Sequence, residues 1–377
     1  MNIRLVKVLD AFVGRLVTLL FLSQHRESPS EVHSFLIIRP GGIGDAVLLI
    51  PTIQAIKNRF TSAEITVLAE VRNGSVFKLS TDVDHILLYD RPKQLLSTLQ
   101  GNYDVAIDTE QWHRLSALVA RLTGAPMLIG FDTNERKRLF SHRIVYSQDD
   151  YEMQSFQNLL APLDIEPGLS EDSFLKIPES VVKKTGQLLE TLAGKPFVTI
   201  FPGASIPERK WGAVHFGKLA QLLAKFGISG VVVGGAEDKE QGNIIVSECA
   251  GLNLAGKTSL SETAAIIEKS ALLISGDSGV LHIAVGLGRP TVSLFGPGRS
   301  KKWAPRGDRH IVINKELPCS PCTIFGNTPR CPINSRCMKE ITVDEVFNAV
   351  MMLLTTTNVL PSLCCKKDWI ERLKISS

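Results

Sequence analysis

Asp45 closes the run Arg39-Pro40-Gly41-Gly42-Ile43-Gly44-Asp45, in which three glycines separate a predicted strand from a predicted helix. Glycine lets the backbone turn tightly and approach a ligand there, and the carboxylate falls on the first turn of the helix, at its positive end. It reads in two ways. One is compensation of helix charge, worth about 0.3–1 kcal/mol; the other is a proton acceptor at the edge of a ligand cleft. The run departs from the dinucleotide fingerprint, with Val47 where the third glycine belongs, which leaves little support for hydride transfer.

A second set of candidates lies beyond residue 200. Ser205 and Lys210 follow the run FVTIF and put a hydroxyl and an ammonium where they could hold phosphate oxygens, although a lone lysine is usually just solvated. Glu237 and Asp238 follow GVVVGG, a position where a carboxylate meets ribose hydroxyls in nucleotide sites, or else merely starts a helix. Asp277, Ser278 and Gly279 can cap a helix whose free N–H groups point at an anion such as a diphosphate. His282 lies one turn inside that helix and reads equally as a packed histidine or a ligand contact. Cys319-x2-Cys322-x8-Cys331-x5-Cys337 has spacing compatible with a structural zinc ion, the second pair being wider than a standard knuckle. Reduced buried thiols or a local disulfide are the other readings.

The elements that must position these residues alternate. FLIIR (35–39), ITVLA (65–69), HILLY (85–89), YDVAID (103–108) and MLIG (127–130) are short β-rich runs separated by helical patterns. FVTIF (197–201), GVVVGG (230–235), LLISG (272–276) and TVSLFG (291–296) repeat the arrangement. Runs apolar on both faces imply parallel strands covered by helices on either side, hence an α/β chain of two Rossmann-like domains. Ligands bind outside the carboxyl ends of such strands, where the candidate residues stand, and two facing sheets would make a central cleft. The boundaries expected are an amphipathic helical extension at 1–33, a first domain at 34–175, a second at 190–340 and C-terminal helices at 341–377.

At 377 residues the chain is too long for one ordinary core, and 44% apolar with 21% charged residues excludes disorder. A net charge of +4 and 6% aromatics give no sign of a nucleic-acid partner. The odd count of seven cysteines, four of them between 319 and 337, points to a reducing compartment. Near the start, Leu5, Leu9, Phe12, Val13, Leu16, Val17 and Leu20 recur at helical spacing among Arg4, Lys7 and Arg15. That suits a helix lying in a membrane interface or one docked on its own domain. The uninterrupted apolar stretch falls far short of the roughly 20 residues a spanning helix needs. Cys364-Cys365 beside two lysines could suggest lipidation, but an ordinary tail is favoured.

Taken in order and spacing, IIRPGGIGDAVLLIPTIQAIK, FPGASIPERKWGAVHFGKLAQLL, GGAEDKE and SGDSGVLHIAVGLGRPTVSLFGP closely resemble glycosyltransferase family 9, from about Phe35 to Met338. The resemblance implies a GT-B fold with an acceptor-binding first half and a nucleotide-sugar-binding second half. It also implies inverting, metal-independent transfer of heptose from ADP-heptose to the lipopolysaccharide inner core. It makes one of the C-terminal helices, Val343 to Leu354, a candidate to cross back to the first domain. Carried over by position, Asp45 would be the general base. Ser205, Lys210, Glu237, Asp277, Ser278, Gly279 and His282 would bind the donor. Gly42, Gly44 and the basic run Arg136, Lys137 and Arg138 would meet the acceptor, the basic run reading equally as a solvated loop. No cofactor is required for catalysis, and any zinc would be structural. The implied place of work is the cytoplasm, peripheral to the inner membrane. The alternatives are a GT-B enzyme using another nucleotide-sugar, such as an epimerase or hydrolase, and a non-catalytic sugar-nucleotide or glycolipid binder. The presence of both Asp45 and Lys210 argues against the idle reading, since a mere binder needs no base.

Overall fold

The computed structural model describes residues 31–168, 173–247, 251–324 and 326–357, with residues 10, 14, 15, 18, 29 and 249. The chain divides into two compact units, residues 1–176 and 177–377. Most of the expected N-terminal helix, and the Cys364-Cys365 tail, lie outside the described residues.

In the first unit, β1 (Ser34–Ile38), α1 (Ile43–Arg59), β2 (Glu64–Ala69), β3 (His85–Leu88), α2 (Pro92–Gln100), β4 (Val105–Asp108), α3 (Arg114–Leu122), β5 (Met127–Phe131), β6 (His142–Ile144) and α4 (Glu152–Asn158) follow one another. The sheet is parallel in the order β3-β2-β1-β4-β5-β6. The central strands are apolar on both faces because both faces are covered: Phe35, Leu36 and Ile38 on β1 and Val47, Leu48 and Ile50 on α1 are all fully buried. Each such side chain contributes about 1.5–3 kcal/mol relative to exposure.

The second unit runs α5 (Glu179–Leu188), β7 (Phe197–Phe201), α6 (Ala213–Ala224), β8 (Ser229–Val232), α7 (Lys239–Ser247), β9 (Leu252–Asn253), α8 (Leu260–Lys269), β10 (Leu273–Gly276), α9 (Gly279–Gly286), β11 (Thr291–Phe295), α10 (Ser300–Trp303), β12 (His310–Asn314), α11 (Arg336–Lys339) and α12 (Val343–Thr356). Its parallel sheet has the order β12-β11-β10-β7-β8-β9. Read from its own first strand, this is the same winding as the first sheet. In each, the chain starts at the centre, builds one side, and returns to build the other. The direction reverses between β1 and β4 in the first unit and between β7 and β10 in the second.

Three strands were not expected from the sequence. β6 and β9 are only 3 and 2 residues long, too short for a pattern, and the edge strand β12 is half-buried along its length. Helix α12, the candidate for crossing back, packs on α6, β11 and β12 of its own unit. Phe347, Val350, Met351 and Leu354 join that unit's core, and Trp211 Nε1 donates to the Ile341 carbonyl at 2.8 Å just ahead of it. Among the described residues no helix is long and apolar enough to cross a membrane.

Candidate functional site

The strand order fixes where ligand chemistry can sit, because loops leaving the sheet on either side of a reversal part and open a crevice at the carboxyl ends. In the first unit those loops are residues 39–45 after β1 and 109–113 after β4. Gly42 is the N-cap of α1, which puts Asp45 on the first turn. A Cβ at position 42 would come within 2.8 Å of Asp45 Oδ2, so glycine is what leaves room for the carboxylate in this pose. Asp45 remains partly accessible, its side chain 23% exposed.

A buried polar cluster surrounds it. Arg39, 2% exposed, donates through Nη1 to the Thr109 carbonyl at 2.9 Å and through Nη2 to Glu110 Oε2 at 3.0 Å. Its Nη1 also lies 3.9 Å from Asp45 Oδ1. The guanidinium stacks over Phe156 at 5.7 Å. Burial works to lower the pKa of Arg39, but the carboxylates of Asp45, Glu110 and Glu152 outweigh it and hold the group above its ordinary value. For Glu110, burial pushes upward and is overcome by Arg39, His113 and Arg136, so its carboxyl sits below the usual range. Gln111 Nε2 approaches Asp45 Oδ1 at 3.4 Å and donates to Glu152 Oε1 at 2.5 Å.

The basic run predicted to meet an acceptor is divided by the structure. Arg136 is fully buried: it donates to Asp108 Oδ2 and the Glu110 carbonyl and lies over the Phe140 ring at 5.2 Å. Its expected role as an acceptor contact is therefore corrected. A guanidinium engaged on three sides inside the unit fastens the β4 loop to the 135–139 turn and has no face left for a ligand. Lys137 and Arg138 are exposed, Lys137 pairing with Asp132 at 3.0 Å. Gly42 and Gly44 are half-buried at the start of α1.

In the second unit the reversal brings together the loops after β7 and β10. Ser278 caps α9, accepting the Leu281 amide at 3.4 Å, and its hydroxyl shares a hydrogen bond with Ser275 at 2.8 Å. Asp277, 8% exposed, is paired with Arg209 Nη1 at 3.2 Å. A Cβ at position 298 would fall 2.1 Å from Asp277 Oδ2, so Gly298 is the residue that admits this carboxylate. Ser205 and Glu237 are exposed and Lys210 is half-buried. Asp238, by contrast, turns inward: its Oδ2 accepts the Gly235 amide at 3.1 Å, and burial outweighs that bond to raise its pKa. The adjacent Glu237 is thus the one left facing solvent. Lys210 lies close enough to favour the Asp238 charge.

His282 is 2% exposed, set edge-on to Trp303 at 6.5 Å, and burial lowers its pKa to about 4. Of the two readings given to His282, the structure describes a packed, neutral imidazole.

Cys319, Cys322, Cys331 and Cys337 line one small cavity of about 20 Å³. Among the described residues, however, no three or more His, Cys, Asp or Glu side chains are arranged to hold a metal ion. Cys331 Sγ accepts the Ser335 amide at 3.2 Å, and Cys337 is buried in the core beside Met338. Burial, reinforced by the neighbouring thiols, raises the pKa of both Cys322 and Cys337. The zinc reading is not supported by this arrangement.

Residues that sequence reasoning missed are Arg39, Glu110, Gln111, Tyr146 and Glu152 in the first unit and Arg209 in the second. Glu110 and Gln111 follow the YDVAID run directly, so the rule about strand ends could have found them. Tyr146 and Glu152 carry no local signal.

The model of glycosyltransferase family 9 (heptosyltransferase) matches residues 93–329. Lipooligosaccharide heptosyltransferase 2 of Haemophilus influenzae is 26% identical over 309 residues, 74% of this chain and 88% of the relative. Lipopolysaccharide heptosyltransferase 2 of Escherichia coli is 26% identical over 310 residues, 74% of this chain and 87% of that one. The solved structure of E. coli ADP-heptose lps heptosyltransferase II superposes with a TM-score of 0.72 at 24% identity, covering 86% of this chain and 99% of the other. That likeness gives the GT-B type of fold, with its two Rossmann-like domains. With a family model spanning well over half of its length, this chain belongs to glycosyltransferase family 9, the heptosyltransferases.

Proposed function

We propose that this enzyme transfers heptose from ADP-heptose to the inner core of a lipopolysaccharide, with inversion at the anomeric carbon and without a catalytic metal. The observation that carries this reading is the pose of Asp45. It is a partly accessible carboxylate at the strand reversal of the first sheet, with Oδ1 facing Gln111 and Arg39 and Oδ2 toward the gap left by Gly42. In this reading Asp45 takes the proton from the acceptor hydroxyl as its oxygen attacks. The first unit, with Lys137 and Arg138 on its surface, meets the acceptor. The second unit holds the nucleotide-sugar: Glu237 takes the ribose hydroxyls, and Ser205, Lys210 and the N–H groups around Asp277, Ser278 and Gly279 stabilise the departing diphosphate.

The test is a donor screen with ADP-heptose, UDP-sugars and GDP-sugars, read as nucleotide release with and without a deacylated core acceptor, run on the wild type and Asp45→Asn. Acceptor-dependent ADP release that Asp45→Asn abolishes, with ADP-heptose still bound, is expected. Release from a UDP- or GDP-sugar alone would instead favour another GT-B enzyme.

The same reading puts the enzyme at the cytoplasmic face of the inner membrane. Its support is the apolar periodicity of residues 5–20 with Arg4, Lys7 and Arg15 among them. Among the described residues of this segment, those that meet the first unit are polar or small: Asp10, Gly14 and Arg15. Flotation with anionic liposomes, with and without residues 1–30, tests it; equal flotation of both forms would sink the idea.

A further inference from the structure

We infer that Gln111 is a positioning residue for Asp45, and that Gln111 is itself held in one orientation by the buried pair of Glu152 and Tyr146. The inference rests on the reading of Asp45 as the base.

A primary amide can turn end for end, presenting either two N–H donors or one carbonyl acceptor. At Gln111 the choice is made by its neighbours. Nε2 lies between Glu152 Oε1 at 2.5 Å and Asp45 Oδ1 at 3.4 Å, so both N–H bonds have a carboxylate oxygen to meet. The flipped amide would set its carbonyl oxygen against two carboxylates. Gln111 is 9% exposed, which leaves little water to relieve such a clash.

Glu152 can act as an orienting group because it cannot turn either. It is fully buried on α4, and its second oxygen accepts the Tyr146 hydroxyl at 2.9 Å. The Tyr146 ring packs edge-on against Phe131 with centroids 4.9 Å apart. Burial, followed by the Glu152 charge, raises the Tyr146 pKa far above its ordinary value, so the phenol remains a donor. A relay of fixed geometry thus runs from β5 through Tyr146, Glu152 and Gln111 to one oxygen of Asp45.

The consequence for chemistry is selective. Gln111 and Arg39 both face Oδ1. Proton uptake is then directed to Oδ2, the oxygen beside Gly42.

The experiment compares Gln111→Ala, Tyr146→Phe and Asp45→Asn in the full-length enzyme, with ADP-heptose and a deacylated core acceptor, measuring kcat, donor KM and the melting temperature. Gln111→Ala is expected to lower kcat by about 10- to 100-fold with donor KM little changed. A fall in kcat with donor KM and melting temperature both kept is a split that a merely structural loss would not produce. Tyr146→Phe keeps the ring and removes only the hydroxyl, so it reports on the relay should Gln111→Ala fold poorly. A smaller fall in kcat, again with donor KM kept, is expected. If Asp45→Asn is inactive while kcat of a folded Gln111→Ala, or of Tyr146→Phe, matches the wild type, the positioning role is overturned and the base stands. If Asp45→Asn is fully active, the reading of Asp45 itself falls.

Discussion

Arg136 donates through Nη2 to Asp108 Oδ2, and neither side chain reaches solvent. Asp108 is the last residue of β4, so the pair fixes the loop that carries Glu110 and Gln111. Removing one partner of such a pair strands the other as a buried charge, which costs about 3–5 kcal/mol. Arg136→Ala should therefore unfold at a much lower urea concentration than the wild type. An unchanged urea midpoint accompanied by weaker acceptor binding would restore the surface role that the sequence suggested.

On the donor side, Lys210→Ala should weaken ADP binding and lower kcat/KM by about 100-fold, since a cation near a developing diphosphate acts mainly as charge accumulates. Isothermal titration with ADP, together with initial rates, checks both. A variant with wild-type donor affinity and turnover would remove Lys210 from the site.

Asp10 accepts the Arg114 and Leu115 amides at 2.6 and 2.8 Å and so caps α3 from a distant part of the chain. Arg114 in turn donates to Glu135 at 2.6 Å, and Arg15 pairs with the same carboxylate at 3.0 Å. Asp10→Ala should cost about 1 kcal/mol, up to ~2, as the loss of a helix cap. Chemical denaturation at neutral pH measures it. No loss would mean that α3 finds its cap elsewhere.

Acidification should destabilise the fold through two histidines, the buried His282 and the half-buried His310. Burial lowers His282, and burial followed by Arg309 lowers His310, each to about 4. The unfolded chain takes up these protons near the ordinary value of about 6.5. Stability is thus complete above about 6.5 and is lost as the pH falls toward 4, because the unfolded state then binds more protons. Asp10 adds to the trend at lower pH. Burial opposes its ionisation, but His113 and the Leu115 and Arg114 amides hold its carboxyl below the usual value, so its contribution goes as it is protonated. Urea midpoints at pH 7 and pH 5 should differ, and His310→Gln should narrow the gap. An equal gap in that variant would assign the effect to other groups.

The parallel strands that carry the sites were legible because they are apolar on both faces, as in Phe35–Ile38 and Val198–Ile200. So were the turns that follow, where Gly42 leaves room for Asp45 and Ser278 caps α9. Strands β6 and β12 were not: His142–Ile144 is only 3 residues long and His310–Asn314 is half-buried along its length, with a polar residue at each end. Arg136 misled because a cation in a charged run reads as solvated. Only the three-dimensional placement of Asp108, reached 28 residues earlier in the chain, shows it to be internal. Glu152 was invisible for the same reason, since its partners Gln111 and Tyr146 meet only after β4, β5 and β6 are aligned.

The two sheets share one winding, and each gathers its polar cluster from its own half of the sequence. The side chains around Asp45 come from residues 39–152, and those around Asp277 from residues 209–278, with Gly298 making room. The residues named in one cluster can therefore be altered by mutation on one side of residue 177 without touching those named in the other. A chain built this way can diversify one recognition task at a time.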